Sequence, residues 1–262
     1  MQLSGAHVLI TGASRGIGAA LAADAARRGA RTTLVARDSS LLAEVAARTG
    51  GTALPADLAV QQERRTVVAR AEAVQGPVDV LVNVASVDAA GSFLTLSADD
   101  LEQLYLVNLV AGAELTRQVL PAMGARGSGH VVVFSSGFST VVSPGLSAYC
   151  SSKAGLSHLT GSLRTELRGT GVGLTLVEPG PVRTGMYADI QAEPLSGAAL
   201  RRLVRLRLAR EVEPEEVAAA VCAQVERGGA HAVVPRRVAP FLLFTWAPRW
   251  LSEVVLTGLP RR

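Results

Sequence analysis

The chain of 262 residues is poor in lysine, cysteine, aromatic residues and charge. Lysine occurs once, at Lys153, although the chain holds 26 basic residues. The two cysteines, Cys150 and Cys222, are too few for a disulfide framework, and they form no Cys-x-x-Cys motif. We therefore expect a protein of a reducing compartment, the cytoplasm. The first residues also lack a basic region followed by a long apolar run, so we expect no signal peptide.

These scarcities exclude several classes of function. Aromatic residues make up 4% of the chain and the formal net charge is only +4, which disfavours nucleic-acid binding. The four histidines are scattered without metal-ligand spacing, so we expect no metal site. The apolar stretch near the C-terminus is interrupted at Pro240, Pro248, Arg249 and Glu253. It therefore lacks the roughly 20 uninterrupted residues that a transmembrane helix needs.

What is abundant is apolar sequence in a regular alternation. Hydrophobic residues make up 48% of the chain and charged residues 18%, which is typical of a globular domain with a sizeable core. Short runs rich in β-branched residues alternate with longer segments of helical period. The short runs are continuously apolar, as strands buried on both faces are. The pattern predicts a doubly wound α/β fold, in which a seven-stranded parallel sheet has helices on both faces.

The predicted elements divide the chain into one domain and a tail. The predicted strands are 7–10, 32–36, 52–56, 78–82, 131–135, 173–178 and 232–234. The predicted helices are 17–28, 40–48, 61–75, 98–120, 148–168 and 214–227. We expect residues 1–235 to form a single domain, with 185–210 as a lid over the substrate. Residues 236–262 form an apolar tail, which we expect to pack on the domain or on a neighbouring subunit; a substrate wall or a membrane-surface contact remains an alternative.

A glycine-rich turn links the first predicted strand to the first predicted helix. Glycine lets backbone N–H groups and the helix N-terminus approach a pyrophosphate without a Cβ in the way. A turn of this kind is much stronger evidence between a strand and a helix than alone. It predicts nucleotide contacts from Gly12, Ser14, Arg15, Gly16, Ile17 and Gly18.

Three further residues, Ser136, Tyr149 and Lys153, are of types that could take part in proton transfer. Lys153 follows Tyr149 by four residues in a predicted helix, so both side chains lie on one face. A nearby cation lowers the pKa of a phenol from about 10, which would let it exchange a proton at neutral pH. Ser136, at the end of the fifth predicted strand, would hold a substrate oxygen beside the phenol.

The glycine spacing Gly-x-x-x-Gly-x-Gly and the Ser136, Tyr149, Lys153 spacing resemble the short-chain dehydrogenase/reductase family over residues 4–235. Other matches are Asp57, Asn83, Asn108 and the run 179–184. The resemblance implies a Rossmann fold and a nicotinamide cofactor. It also implies a catalytic set of Ser136, Tyr149, Lys153 and Asn108, in which Asn108 positions a water that links Lys153 to solvent. We expect a homodimer or homotetramer built on helices 98–120 and 148–168, as the resemblance implies.

The sequence departs from the family after the fourth predicted strand. The family pattern Asn-Asn-Ala-Gly reads Asn83-Val84-Ala85-Ser86 in this chain. The departure affects the expected backbone path near the adenine ribose and leaves the catalytic residues unchanged.

Cofactor preference depends on the residue that follows the second predicted strand. Here it is Arg37, and a cation at this place accepts the 2′-phosphate of NADP, whereas an acidic residue binds the ribose hydroxyls of NAD. Arg15 could contact the same phosphate from the other side. Asp38 is the competing candidate, so the sequence favours NADP(H) over NAD(H). By resemblance, the remaining cofactor contacts are Asp57 (at the adenine), Leu58, Asn83, Ala85, Tyr149, Lys153, Pro179, Gly180, Val182 and Thr184 (at the nicotinamide amide).

The sequence thus predicts an NADP(H)-dependent ketoreductase that acts on an apolar small molecule. The candidate residues of the substrate pocket are Phe93, Phe138, Val141, Val142, Met186 and Tyr187. The alternatives are an NADP-dependent epimerase or dehydratase that oxidises its substrate transiently, and a non-catalytic nucleotide-binding protein. A serine hydrolase is disfavoured because Gly-x-Ser-x-Gly is incomplete at 137–141 and at 145–149. The arginines of 201–210 are either a solvated helix face or a contact for an anionic group.

Overall fold

The computed structural model describes residues 1–140, 143–205 and 210–235, and a parallel sheet lies at its centre. The sheet has seven strands in the order β3-β2-β1-β4-β5-β6-β7. They are β1 (His7–Thr11), β2 (Arg31–Ala36), β3 (Thr52–Pro55), β4 (Val80–Asn83), β5 (Gly129–Phe134), β6 (Val172–Pro179) and β7 (His231–Val234). The predicted doubly wound fold is confirmed. The strand order reverses between β1 and β4, and such a reversal opens a crevice at the carboxyl ends of the strands.

Two helical layers cover the sheet. The helices are α1 (Gly16–Arg27), α2 (Ser39–Thr49), α3 (Gln61–Gln75), α4 (Ala98–Tyr105), α5 (Gly112–Arg126), α6 (Ser147–Glu166), α7 (Gly185–Ala192), α8 (Pro194–Arg205) and α9 (Pro214–Arg227). Helices α1, α2 and α9 contribute to the core on one face, and α3, α5 and α6 to the core on the other. Along β1, Val8 and Ile10 belong to the first core and Leu9 to the second. Because successive side chains of a strand point to opposite faces, both cores require a strand that is apolar throughout.

The predicted helix 98–120 is not continuous in the structure. It consists of α4 and α5, joined by a π-helical segment, Leu106–Ala111. Segments of this kind often mark functional sites, and Asn108 lies in this one. The predicted helix did not include this interruption.

The predicted lid segment forms two helices, α7 and α8. Tyr187, Ile190 and Leu200 from these helices pack with Leu146 and Tyr149 in a third apolar cluster at the start of α6. The segment that was expected to cover the substrate therefore packs directly beside the candidate catalytic tyrosine.

Some predictions fall on residues that the structure does not describe. The apolar tail 236–262 and the pocket candidates Val141 and Val142 lie outside the described residues. Among the described helices, none is long and apolar enough to cross a membrane.

Candidate active site

A cleft of about 670 Å³ lies at the carboxyl ends of the strands. Residues that follow each strand from β1 to β6 line it. This is where ligands bind in open α/β sheets, beside the reversal of strand order. Among the described residues, no group of three or more His, Cys, Asp or Glu side chains is placed to hold a metal ion.

The glycine-rich turn forms the part of the cleft next to α1. A Cβ on Gly12, whose φ is +67°, would lie 2.8 Å from the Cα of Ala85. A Cβ on Gly18 would lie 2.1 Å from the carbonyl oxygen of Gly12. Arg15 precedes α1 and gives it no side-chain cap, and the first turn carries no acidic residue. The backbone N–H groups at this helix end therefore suit an anion such as a pyrophosphate.

The loop after β4 is held by Thr11, which the sequence interpretation did not identify as a site residue. The Thr11 hydroxyl accepts hydrogen bonds from the backbone N–H groups of Val84 and Ala85, each at 3.1 Å. Thr11 is paired with Asn83 in the parallel register of β1 and β4. The sequence feature that could have identified Thr11 is a hydroxyl side chain at the end of the strand that pairs with β4. These hydrogen bonds fix the backbone of Val84 and Ala85, where the sequence departs from the family pattern Asn-Asn-Ala-Gly.

Asn83 does not line the cleft, in contrast to the prediction that it contacts the cofactor. Its side-chain amide donates to the carbonyl oxygen of Gly112 at 3.2 Å and to the Thr116 hydroxyl at 3.0 Å. The side chain is therefore directed to α5, and it ties the end of β4 to the helix layer.

Asn108 also lies behind the wall of the cleft, with only 1% of its surface exposed. Its side chain accepts from the backbone N–H of Val87 and donates to the carbonyl oxygen of Val87, both at 2.8 Å. It also accepts from the Ser86 hydroxyl and donates to the Ser152 hydroxyl. In this structure Asn108 joins the β4 loop to α6, next to Lys153.

Ser136, Tyr149 and Lys153 meet at the cleft, as the spacing predicted. Tyr149 and Lys153 lie on successive turns of α6, and both are buried. The Lys153 ammonium donates to the carbonyl oxygen of Phe134, at the end of β5, at 3.0 Å and lies 5.7 Å from the centre of the Tyr149 ring. The Ser135 hydroxyl donates to the carbonyl oxygen of Lys153 at 2.9 Å, which fastens α6 to the end of β5.

The electrostatics of this pair differ from the prediction. Burial raises the pKa of Tyr149 to about 12, although the neighbouring Ser136 hydroxyl acts to lower it. Burial also lowers the pKa of Lys153 to about 8. The expected lowering of the phenol pKa by Lys153 is therefore wrong for this structure, because desolvation disfavours the charged form of both groups. The site holds a protonated phenol together with a lysine that titrates near physiological pH.

At the other end of the cleft, Arg15 and Arg37 are exposed cations that line the wall. Asp38 caps α2: its carboxylate accepts from the backbone N–H groups of Ser40 and Leu41 and from the Ser40 hydroxyl. These hydrogen bonds lower the pKa of Asp38. The competing acidic group is thus engaged in helix capping.

The remaining predicted cofactor contacts all line the cleft: Ser14, Gly16, Ile17, Asp57, Leu58, Ala85, Pro179, Gly180, Val182 and Thr184. Phe138, Met186 and Tyr187 line it as predicted, whereas Phe93 does not and is 56% exposed. Val87 and Ile190 were missed. Ile190 lies three and four residues after Tyr187 and Met186, so the helical spacing of α7 could have identified it.

Comparisons with known proteins agree with this geometry. The short chain dehydrogenase family matches residues 6–195. The ketoacyl reductase HetN of Nostoc sp. is 36% identical over 210 residues, which are 77% of this chain and 73% of that protein. A short-chain dehydrogenase from Sphingobium yanoikuyae, solved in complex with NADPH, superimposes with a TM-score of 0.82 at 28% identity, covering 98% of each chain. The bulky-bulky ketone specific alcohol dehydrogenase from Comamonas testosteroni has a TM-score of 0.78 at 25% identity, covering 98% of this chain and 97% of that one. With its fold, its cleft and its sequence all in agreement, the chain belongs to the short chain dehydrogenase family.

Proposed function

We propose that the protein is an NADP(H)-dependent ketoreductase, which interconverts a ketone and a secondary alcohol on an apolar small molecule. The observation that carries the proposal is the meeting of Ser136, Tyr149 and Lys153 in the cleft that begins at the α1 N-terminus. The names of two similar proteins, a ketoacyl reductase and a ketone-specific alcohol dehydrogenase, support a carbonyl substrate.

The reaction adds a hydride to the carbonyl carbon and a proton to its oxygen. The residues that line the cleft would hold the nicotinamide cofactor, which would supply the hydride when bound. Tyr149 donates the proton, which its raised pKa keeps on the hydroxyl oxygen until the carbonyl oxygen gains negative charge. Ser136 donates a hydrogen bond to the same oxygen. Lys153, with a pKa of about 8, returns a proton to the phenolate after each turnover.

The preference for NADP(H) rests on the charges at the adenosine end. Arg37 and Arg15 both line the cleft there and can bind a 2′-phosphate by charge-assisted hydrogen bonds. One carboxylate oxygen of Asp38 accepts three hydrogen bonds from the start of α2, so this oxygen is engaged in helix capping. The NADPH bound to the similar dehydrogenase of Sphingobium yanoikuyae supports the same preference.

The apolar substrate is argued from the lining of the cleft. Its charged lining residues are Arg15, Arg37, Asp38, Asp57 and Lys153. The wall formed by α7 and the 3-10 turn after β5 is instead made of Phe138, Met186, Tyr187 and Ile190. Burying a charged substrate group against these side chains would cost several kcal/mol, on the order of the penalty for an unpaired charge.

The decisive test is Tyr149→Phe, assayed by NADPH oxidation with a panel of aliphatic and polycyclic ketones. We expect activity to fall by about 100-fold or more, because the proton donor is lost while the ring remains. Fluorescence titration with NADPH should show that the variant still binds the cofactor, which separates loss of the proton donor from loss of folding. Undiminished turnover in Tyr149→Phe contradicts the mechanism, and turnover without net NADPH consumption indicates an epimerase or dehydratase.

A further inference from the structure

A hydrogen-bonded network outside the catalytic set joins α7 to the segment between α8 and α9. One carboxylate oxygen of Glu211, Oε1, accepts from the Tyr187 hydroxyl at 2.5 Å. The other, Oε2, accepts from Nε of Arg183 at 2.9 Å. A second arm of Arg183 donates to Glu213 at 2.8 Å. Glu211 thus holds two side chains at once, one on α7 and one before it.

The Tyr187 hydroxyl is fully engaged in this network. It donates to Glu211 and accepts from the side-chain amide of Gln191 at 2.9 Å. The residue also lines the cleft, and only 9% of its surface is exposed. Burial and the adjacent Glu211 carboxylate raise the pKa of Tyr187, so the phenol stays neutral. Tyr187 therefore presents an apolar ring to the cleft, and its hydroxyl is occupied elsewhere.

The backbone strengthens the same connection. Val182 and Val212 form a parallel bridge, in which the backbone N–H of Arg183 donates to Val212 at 3.0 Å and that of Val212 donates to Pro181 at 2.9 Å. Thr184 then caps α7 by accepting from the backbone N–H of Tyr187 at 3.3 Å. Glu211 consequently binds a side chain on each side of Thr184, at the point where the chain leaves β6 and enters the lid.

The two bonds of Glu211 differ in strength. The side chain of Arg183 is 60% exposed, so its ion pairs are screened by solvent and contribute little. The bond from Tyr187 joins a buried hydroxyl to an ionised carboxylate, and such charge-assisted hydrogen bonds are about twice as strong as neutral ones. The contact with Tyr187 is the one expected to matter.

We propose that Glu211 is a positioning residue that fixes the Tyr187 ring as the apolar wall of the substrate site and holds the start of α7 against the cleft. Glu211 itself does not line the cleft and touches no reacting group. The expected effect of Glu211 on KM rests on the proposed ketoreductase function. The expected effect of Glu211 on the position of α7 and α8 does not.

The kinetic test uses Tyr187→Phe, Glu211→Ala and the double variant, with Glu213→Gln as the matched control. Glu213 shares Arg183 with Glu211 but does not contact Tyr187. We expect the KM for a bulky apolar ketone to rise about tenfold in Tyr187→Phe and in Glu211→Ala, which is the effect of one lost hydrogen bond to a charged group. The KM of the control Glu213→Gln should stay at the wild-type value. In Glu211→Ala, the kcat and the KM for a small ketone should change less than about twofold, since Glu211 does not line the cleft and a small ketone does not need this wall. The double variant should have a KM for the bulky ketone no higher than that of either single variant. Glu211→Gln keeps a hydrogen-bond acceptor, so its KM should rise less than that of Glu211→Ala.

The second readout needs no enzyme activity. Trypsin cleavage after Arg201, Arg202 and Arg205 of α8 should be several-fold faster in Glu211→Ala and Tyr187→Phe than in the wild-type protein or in Glu213→Gln. If wild-type protein reduces no ketone, the proposed function fails while cleavage still tests the role of Glu211. Unchanged cleavage in both variants, or equal acceleration in Glu213→Gln, overturns the proposal.

Discussion

At the residue scale, Lys153 shows how a buried position selects one side chain. Arginine fills every other basic position of the chain except the histidines, yet lysine stands four residues after Tyr149. The Lys153 side chain is 2% exposed, and its ammonium donates to a backbone carbonyl. A planar guanidinium is wider than an ammonium and does not lose its proton in proteins. Lysine with a pKa of about 8 can do so, and this fits a proton relay.

Lys153→Arg is therefore not conservative at this site. We expect kcat/KM to fall by about 100-fold or more, because the wider cation disturbs the phenol and cannot return a proton to it. The measurement is NADPH-dependent ketone reduction, with the melting temperature as a control for folding. Near-normal activity in a folded Lys153→Arg protein would show that the relay does not depend on a neutral lysine.

Arg37 tests the cofactor preference. We expect Arg37→Ala to raise the KM for NADPH by about 10- to 100-fold, the loss of a charge-assisted contact, and to leave the KM for NADH unchanged. The control is Arg48→Ala, which removes the same charge from an exposed position of α2 outside the cleft lining. Equal effects of the two substitutions on both cofactors would refute a specific phosphate contact.

The sequence predicted the meeting of the candidate catalytic residues in one cleft better than it predicted their pKa values. The spacing of Ser136, Tyr149 and Lys153 brought them to one cleft, because helical period and strand ends are local properties. The pKa of Tyr149 is set instead by burial, which depends on the packing of α7 and α6. The directions of Asn83 and Asn108 likewise follow from contacts with α5 and with the β4 loop, far apart in sequence.

At the element scale, the turn before α1 depends on close packing between backbone segments. Gly18 allows the first turn of α1 to approach Gly12, and Gly12 allows the turn to approach Ala85. These contacts set the distance between β1, α1 and the loop after β4. The glycines were recognisable in the sequence, but the role of Ala85 as their partner required the structure.

Gly18→Ala should separate these elements. A Cβ would lie 2.1 Å from the Gly12 carbonyl oxygen, so we expect a loss of about 1–3 kcal/mol in unfolding free energy and a weaker affinity for NADPH. Gly124→Ala in α5 is the control, because nothing lies within 4 Å of its added Cβ. That substitution should stabilise the helix by about 0.5–1 kcal/mol. Chemical denaturation measures both, and a neutral Gly18→Ala would contradict the close approach.

The element scale also shows where pattern-based prediction stops. The strands were found because burial on both faces leaves a continuous apolar run. The π-helical segment at Asn108 and the division of residues 185–205 into α7 and α8 were not predicted. The division falls at Glu193, which is extended, and at Pro194, where α8 begins, so the proline was the available sequence signal.

At the scale of the whole molecule, two buried histidines lie at the amino ends of the strands, opposite the cleft. His130 lies at the start of β5, is 3% exposed and is hydrogen-bonded to the Thr175 hydroxyl at 2.7 Å. Burial lowers the pKa of His130 from 6.5 to about 4, and burial also lowers the pKa of His7 at the start of β1. The folded protein therefore keeps these imidazoles neutral at pH values where the unfolded chain protonates them.

This predicts a stability loss in mild acid. The contribution of neutral His130 is complete above pH 6.5 and is lost as the pH falls from 6.5 to about 4, because only the unfolded chain takes up the proton there. The loss amounts to about 3 kcal/mol. Unfolding free energies measured across this range should depend less steeply on pH in His130→Gln than in the wild type. Parallel slopes in the two proteins would contradict this assignment.

The burial of the single lysine has a practical consequence for bioconjugation. Lys153 is the single lysine of the sequence, and it is 2% exposed. Amine-reactive dyes and biotin esters should thus leave the lysine side chain of the folded protein unlabelled. Labelling of Lys153 by these reagents would report on unfolding around Tyr149, since it requires the lysine to become accessible.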